Sequence, residues 1–311
     1  MKRAVPFLIL AALLIGSASS SDQAPASARS AASFPGRNGK IVYQSYADSS
    51  SRPGGIYLIG ANGKGDTRLL SQPAESAGPR WSPDGRRVAF FAAGAKTSAL
   101  FLINPDGKNG RRVLIGTPSE WPAYPAWSPD GKRLIFLRGK PCQTGFCKSH
   151  LSILTLETGK AVDIPHTAGA SYAASWSPDG RTIVFGKSPS YTLWLIRPDG
   201  SGARRLVTGG VAFPDWSPDG RRIAFTRITK TGKSDIYLIR PDGTGLARAN
   251  KTPGDYAAPV WSPDGRALAF VLGGGTNGDV CVMPLAGKER CLTHTAKADD
   301  ALPDWQPLPA S

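Results

Sequence analysis

The sequence is poor in the residues from which most active sites are built. Its 311 residues include 3 His, 4 Cys and 2 Met. The histidines, His150, His166 and His294, are scattered along the chain, whereas a metal centre needs its ligands clustered. No Gly-x-Ser-x-Gly is present, which excludes the nucleophile elbow of an α/β-hydrolase. No stretch beyond the first twenty residues spaces its apolar side chains as a helix does, so helical bundles and helical solenoids are excluded as well. The longest apolar run, Ala4 to Ile15, falls short of the roughly 20 residues that a membrane-spanning helix needs.

That run reads instead as the core of a signal peptide. Lys2 and Arg3 precede it, and small residues follow, with Ala18 and Ser20 placed as the −3 and −1 residues of a cleavage site. The expectation is a signal peptide over 1–20, a flexible linker over 21–33, a folded body over 34–307 and a tail over 308–311. Cleavage removes two cations and no acid, taking the net charge from +15 to +13. An exported basic protein points away from nucleic acid and toward an envelope or extracellular protein, or an anionic cell-envelope polymer. Four cysteines in such a chain imply two disulfides. Cys142 and Cys147 bracket QTGF, and Cys281 and Cys291 flank PLAGK as opposed residues of one hairpin would. The spacing therefore favours those two local pairs.

What the sequence has in abundance is Gly and Pro, 36 and 27 residues, the material of tight turns. They are arranged periodically. WSPDG recurs with its Trp at 81, 127, 176, 216 and 261, and a truncated copy carries Trp305. A degenerate first copy, FPGRNGKIVY, puts Asn38-Gly39 where the others have Asp-Gly. Between these copies lie segments such as LFLINPDG and IYLIRPDG, each ending in a hairpin Gly. Each unit reads as four short strands, A to D, with Trp on A and the Pro-Asp-Gly turn leading to B. A period of 40–50 residues with four strands per unit is the pattern of a β-propeller. Seven A-type segments serve six B–C–D sets, so residues 303–305 are expected to supply strand A of blade one and close the ring. The fold class is all-β, a six-bladed propeller of four-stranded blades. The repeated turn Asp residues and the cations after them read as architecture before they read as a site.

This run of WSPDG, an IAF-type strand, IYLI and a Gly hairpin resembles the TolB-like propeller family, relatives of the WD-repeat propellers. The resemblance covers about residues 34–307. It implies a six-bladed periplasmic propeller that binds a protein partner at its channel mouth. The family's founding member also carries an α/β domain ahead of its propeller, and here the 21–33 linker precedes the first blade.

The function expected is that of an exported, monomeric, non-catalytic binding or scaffold propeller with no cofactor. Candidate contacts sit in the connections between blades and in the B–C loops. The first supply Trp121, Tyr124, Tyr172, Phe213 and Tyr256 together with Glu75, Glu120, Asp255, Asp299 and Asp300. The second are basic, with Arg52, Lys96, Arg138, Lys140, Lys148, Lys187, Arg227, Lys230 and Lys233. Blade three is the outlier, with 28 residues between turn Gly and hairpin Gly against 20–24 elsewhere. The surplus falls on RGKPCQTGFCKSH, which contains Lys140, Lys148 and the first cysteine pair. The competing expectation is a metal-dependent polysaccharide lyase, since the repeat also resembles oligogalacturonate lyases. That reading needs His150, His166 and His294 to converge. Should the signal-peptide reading hold, N-terminal sequencing of protein from the envelope or medium will begin near Ser21. An intact Met1 in a membrane fraction overturns it.

Overall fold

The computed structural model describes residues 36–46, 54–70, 76–94, 96–142, 145–229, 232–273, 277–294 and 299–309. The segments expected as signal peptide and linker, with Arg52, Glu75 and Lys230, lie outside these residues, as do the side chains of Cys147 and Tyr172. Every described element is a strand or turn, arranged as six four-stranded antiparallel sheets.

The blades follow the period of the sequence. Blade two is typical: A (Ser76–Trp81), B (Val88–Ala93), C (Ser98–Ile103) and D (Arg111–Ile115) pair in order. Strands B and C are buried almost throughout, while D shows its arginines to solvent. A blade packs a neighbour on each of its faces, so its middle strands read as unbroken apolar runs instead of alternating ones. The Trp of each A strand is only 5–9% exposed, a large apolar area placed where blades meet.

The turn explains WSPDG. In blade two, Gly85 N–H donates to the Ser82 carbonyl at 2.8 Å. Asp84 accepts from the Ser82 hydroxyl at 2.5 Å and from Arg86 N–H at 3.1 Å. Ser and Asp thus satisfy the turn's polar groups, and Gly takes the left-handed φ of +65° that a Cβ would resist. A Cβ on Gly85 would also lie 2.1 Å from the Pro307 carbonyl oxygen of blade one. Two residues past the turn Gly, Arg87, Arg133 and Arg222 place their guanidinium groups over Trp127, Trp176 and Trp261 of the next blade at 5.4, 4.9 and 4.7 Å. Each is a cation–π contact across a blade seam.

Blade one joins the two ends of the described chain. Its A strand is Asp299–Leu308, paired with Arg37–Tyr46 so that Ile41 faces Trp305 and Val42 faces Asp304. The closing strand is longer than the 303–305 core read from the repeat. Cys281 and Cys291 sit opposite each other in blade six and are joined by a disulfide. Cys142 is also disulfide-bonded, and its expected partner Cys147 has its side chain outside the described residues.

Because Trp305 anchors the closing strand at 6% exposure, Trp305→Ala is expected to lower unfolding free energy by about 3–5 kcal/mol. Truncation after Leu302 should aggregate, having uncovered the edge of Arg37–Tyr46. Urea denaturation and light scattering check both; wild-type midpoints in either variant overturn the closure.

Candidate functional site

The inner strands carry a pattern that the WSPDG motif hides. Four residues read x-Pro-x-Trp in five blades: Gly78-Pro79-Arg80-Trp81, Tyr124-Pro125-Ala126-Trp127, Phe213-Pro214-Asp215-Trp216, Ala258-Pro259-Val260-Trp261 and Leu302-Pro303-Asp304-Trp305. Pro has no N–H to give to strand B, and the ladder slips there, between Ala77 and Arg80 in blade two and between Ala123 and Ala126 in blade three; blade four, with Ala174 in place of Pro, slips as well, between Ser171 and Ser175. The residue before Pro takes a positive φ, 59° at Gly78, 50° at Tyr124, 49° at Phe213 and Ala258, and 50° at Leu302. For a non-glycine residue this costs about 1–2 kcal/mol.

The residue before the Trp is Arg80, Ala126, Ser175, Asp215, Val260 and Asp304 around the ring. Val260 packs into the core between blades six and one. The other five line a cavity of about 130 Å³ on the axis together with the six Trp residues and four of the turn prolines. Asp304 accepts from Trp81 N–H at 2.6 Å and from Arg80 at 3.3 Å. Asp215 accepts from Trp261 N–H at 2.9 Å and from the Ser175 hydroxyl at 3.1 Å. The Ser175 oxygen in turn accepts Trp216 N–H at 3.3 Å. Each acceptor belongs to the blade before the Trp it serves, so these bonds knit neighbouring inner strands.

The two carboxyls are not equivalent. Burial pushes Asp215 up to about 6, against the pull of Arg80 and the Trp261 N–H. Burial raises Asp304 as well, again against Arg80. Arg80 is bonded to Asp304, whereas the hydrogen bonds to Asp215 come from neutral donors. The turn carboxyls at 84, 130, 219 and 264 behave in the opposite way. Partial burial works to raise them, but the serine hydroxyl, the backbone N–H and the following cations outweigh it and lower them.

The residues singled out in sequence fall elsewhere. Trp121, Tyr124, Phe213 and Tyr256 lie within A strands, not in loops, because those strands begin five or six residues before their Trp. Tyr256 is buried, stacks on Phe270 and donates to Glu289 at 2.9 Å. Tyr124 is buried between Phe91 and Phe146. Trp121 and Phe213 are half-buried. Two cations of the expected basic loop face are paired with carboxylates, and two more lie over aromatic rings with their charge intact. Arg138 pairs with Asp163 at 3.1 Å, Lys233 pairs with Asp255 at 3.0 Å, and Lys187 and Arg227 cover Trp194 and Tyr237. Lys96, Lys140 and Lys148 remain exposed, on blades two and three.

The histidines do not converge. His150 lies in strand C of blade three against Asp163 at 3.3 Å, and His166 follows that blade's D strand. His294 belongs to blade six, directly across the ring. Among the described residues no three His, Cys, Asp or Glu side chains are grouped to hold a metal.

A raised carboxyl binds its proton more tightly folded than unfolded. Asp215 therefore favours folding below about pH 4 and gives up that contribution as pH rises through about 6. The lowered turn carboxyls act below that window. Asp215→Asn should raise stability at pH 7.5 by about 1–3 kcal/mol and flatten the gain that wild type shows between pH 7 and 5. Urea midpoints across pH test this, and parallel curves for the two proteins overturn it.

Comparison with known proteins agrees with this architecture. The TolB beta propeller domain family matches residues 125–308. The structure is similar to that of TolB from Acinetobacter baumannii, with 20% identity, a TM-score of 0.74, and coverage of 86% of this chain and 67% of that one. A putative TolB from Agrobacterium tumefaciens gives 19%, 0.65, 88% and 99%. An oligogalacturonate lyase in complex with manganese gives 15%, 0.58, 85% and 87%. Identities this low speak to fold alone.

Proposed function

Since the chain belongs to the TolB beta propeller family, we propose that it is a non-catalytic binding propeller working outside the cytoplasm, and that it takes an acidic segment of an envelope or extracellular protein. The observation that carries this reading is the blade-three hairpin. Its strands, Arg133–Cys142 and Gly145–Thr155, are 10 and 11 residues long, against 6 and 6 for the same pair in blade two. A disulfide-bonded cysteine, Cys142, stands at its end.

The hairpin is bent by a bulge between Cys147 and His150, where Lys148 takes a φ of 52°. Beyond the bulge Phe146 meets Tyr124 edge-on at 6.3 Å, and Tyr124 meets Phe91 at 5.2 Å. The hairpin thus combines an aromatic contact with the inner strand and two exposed lysines, Lys140 and Lys148, with Lys96 on the adjacent blade. Preorganised loops of this kind lose little entropy on binding. Export is supported by the disulfides and by the N-terminal apolar run. The lyase reading lacks support from the histidines, which stand on opposite blades.

A fluorescein-labelled oligoglutamate peptide is the probe. Lys140→Glu with Lys148→Glu should weaken its binding about tenfold and reduce the salt dependence, with folding intact because exposed loop charges contribute about 0.5 kcal/mol or less. Trp121→Ala should weaken binding and leave the salt dependence unchanged. Unaltered affinity in the lysine variant overturns the proposal. So does manganese-dependent release of unsaturated sugars from polygalacturonate.

A further inference from the structure

The A–B turns and C–D hairpins share one face of the ring, opposite the blade-three hairpin. Here the turns run through the first residue of strand B, with residues 37–40 serving blade one, and the rim is the first two residues of each D strand. Counted so, this face and its rim hold twenty-three described Lys and Arg residues against eleven carboxylates. The rest of the described chain holds nine against nine. The whole net positive charge of the described residues therefore lies on one face.

Its inner ring is Lys40, Arg86, Lys132, Arg181, Arg221 and Arg266, all exposed. The turn carboxylates beside them are occupied by serine hydroxyls and backbone N–H groups. The charge is spread over six blades and does not follow a groove, so it suits a flat array of anions better than a single strand of polymer. Exposed apolar side chains stand on the same face, Val162 at the rim of blade three and two leucines nearer one another. Leu246 and Leu285, 43% and 38% exposed, project from the C–D hairpins of neighbouring blades five and six. Cations with protruding leucines are the combination that seats a protein on anionic lipid, headgroup attraction adding to shallow apolar insertion.

We propose that the turn face docks the propeller on an anionic phospholipid surface, Leu246 and Leu285 entering the headgroup layer and the ring of turn cations facing the phosphates. The proposal does not rest on the partner site, which lies on the other face, so the two can fail separately. The test is flotation of the purified chain with vesicles of phosphatidylglycerol and phosphatidylethanolamine, with phosphatidylcholine vesicles as control. Every variant carries the same residues 4–15, so differences between variants are what is read.

The chain should float with the anionic vesicles, and high salt should release it. Arg181→Glu/Arg221→Glu/Arg266→Glu should lower partitioning at least tenfold, whereas Lys140→Glu/Lys148→Glu should leave it near wild type. Leu246→Ser/Leu285→Ser should lower it severalfold without changing the salt dependence, and this pair keeps the proposal testable if the triple variant unfolds. Equal binding to phosphatidylcholine overturns the proposal, as does flotation unaffected by either set. Binding of soluble polyphosphate that the arginine variant abolishes, with no flotation on anionic vesicles, overturns it in favour of a polymer site.

Discussion

A four-stranded blade exposes two apolar faces and cannot bury either of them alone. That constraint organises everything else in this protein. Each blade must have a neighbour on both sides, so the row of blades has to become a ring. The pairing of Asp299–Leu308 with Arg37–Tyr46 makes it one. The unbroken apolar strands B and C, the buried Trp at each seam and the polar D strands at the rim all follow from this requirement. The axial cavity is its by-product, the space left where six inner strands meet.

Much of this was legible from the repeat. Five copies of one pentapeptide gave the blade count, the strand order and the turn chemistry, because a turn built from Ser, Pro, Asp and Gly needs those residues locally. The closing strand was legible from Trp305, although its length was not: residues 299–302 extend the pairing without any motif of their own. The Cys281–Cys291 pair was legible from symmetry about a hairpin. The elongated blade-three hairpin was visible as a surplus of residues.

The axial site was not read, for a physical reason. The residue before each Trp varies from Arg80 to Ala126, Ser175, Asp215, Val260 and Asp304, so it looks like noise beside an invariant Trp. Its meaning depends on the slip in the ladder ahead of the Trp, which a proline one position earlier marks in five blades and which blade four makes with Ala174 in its place. The recurring x-Pro-x-Trp was the available signal. The loop aromatics were misplaced by the same cause, since the bulge lets the inner strand begin well ahead of its Trp. The surroundings of the B–C loop cations were not legible, because a sequence does not show which of them find carboxylates or aromatic rings. Arg138, Lys187, Arg227 and Lys233 all do.

The seams of the ring are not alike. Arginines stacked on Trp cross from blade two to three, three to four and five to six. Carboxyl or hydroxyl acceptors for the Trp N–H cross from one to two, four to five and five to six. The seam from six to one has neither among the described residues. Thr182 and Ala267 stand where the arginines of other blades would be, and Val260 stands where an acceptor would be. The first-to-second seam has Ile41 in the arginine's place and is served by Asp304, and the fourth-to-fifth has Thr182 and is served by Ser175. The seam from six to one is fastened by other means: Arg290 donates to the Ala61 carbonyl, Asp264 N–H to Asn38 at 3.2 Å and Gly278 N–H to Asp299 at 2.9 Å, and Val260, Val282 and Leu292 pack with Ile41, Tyr57 and Trp305. The joint that closes the disc therefore resists parting mostly through apolar packing and main-chain bonds instead of stacked guanidinium groups, so heat and denaturant should loosen it where added salt does little.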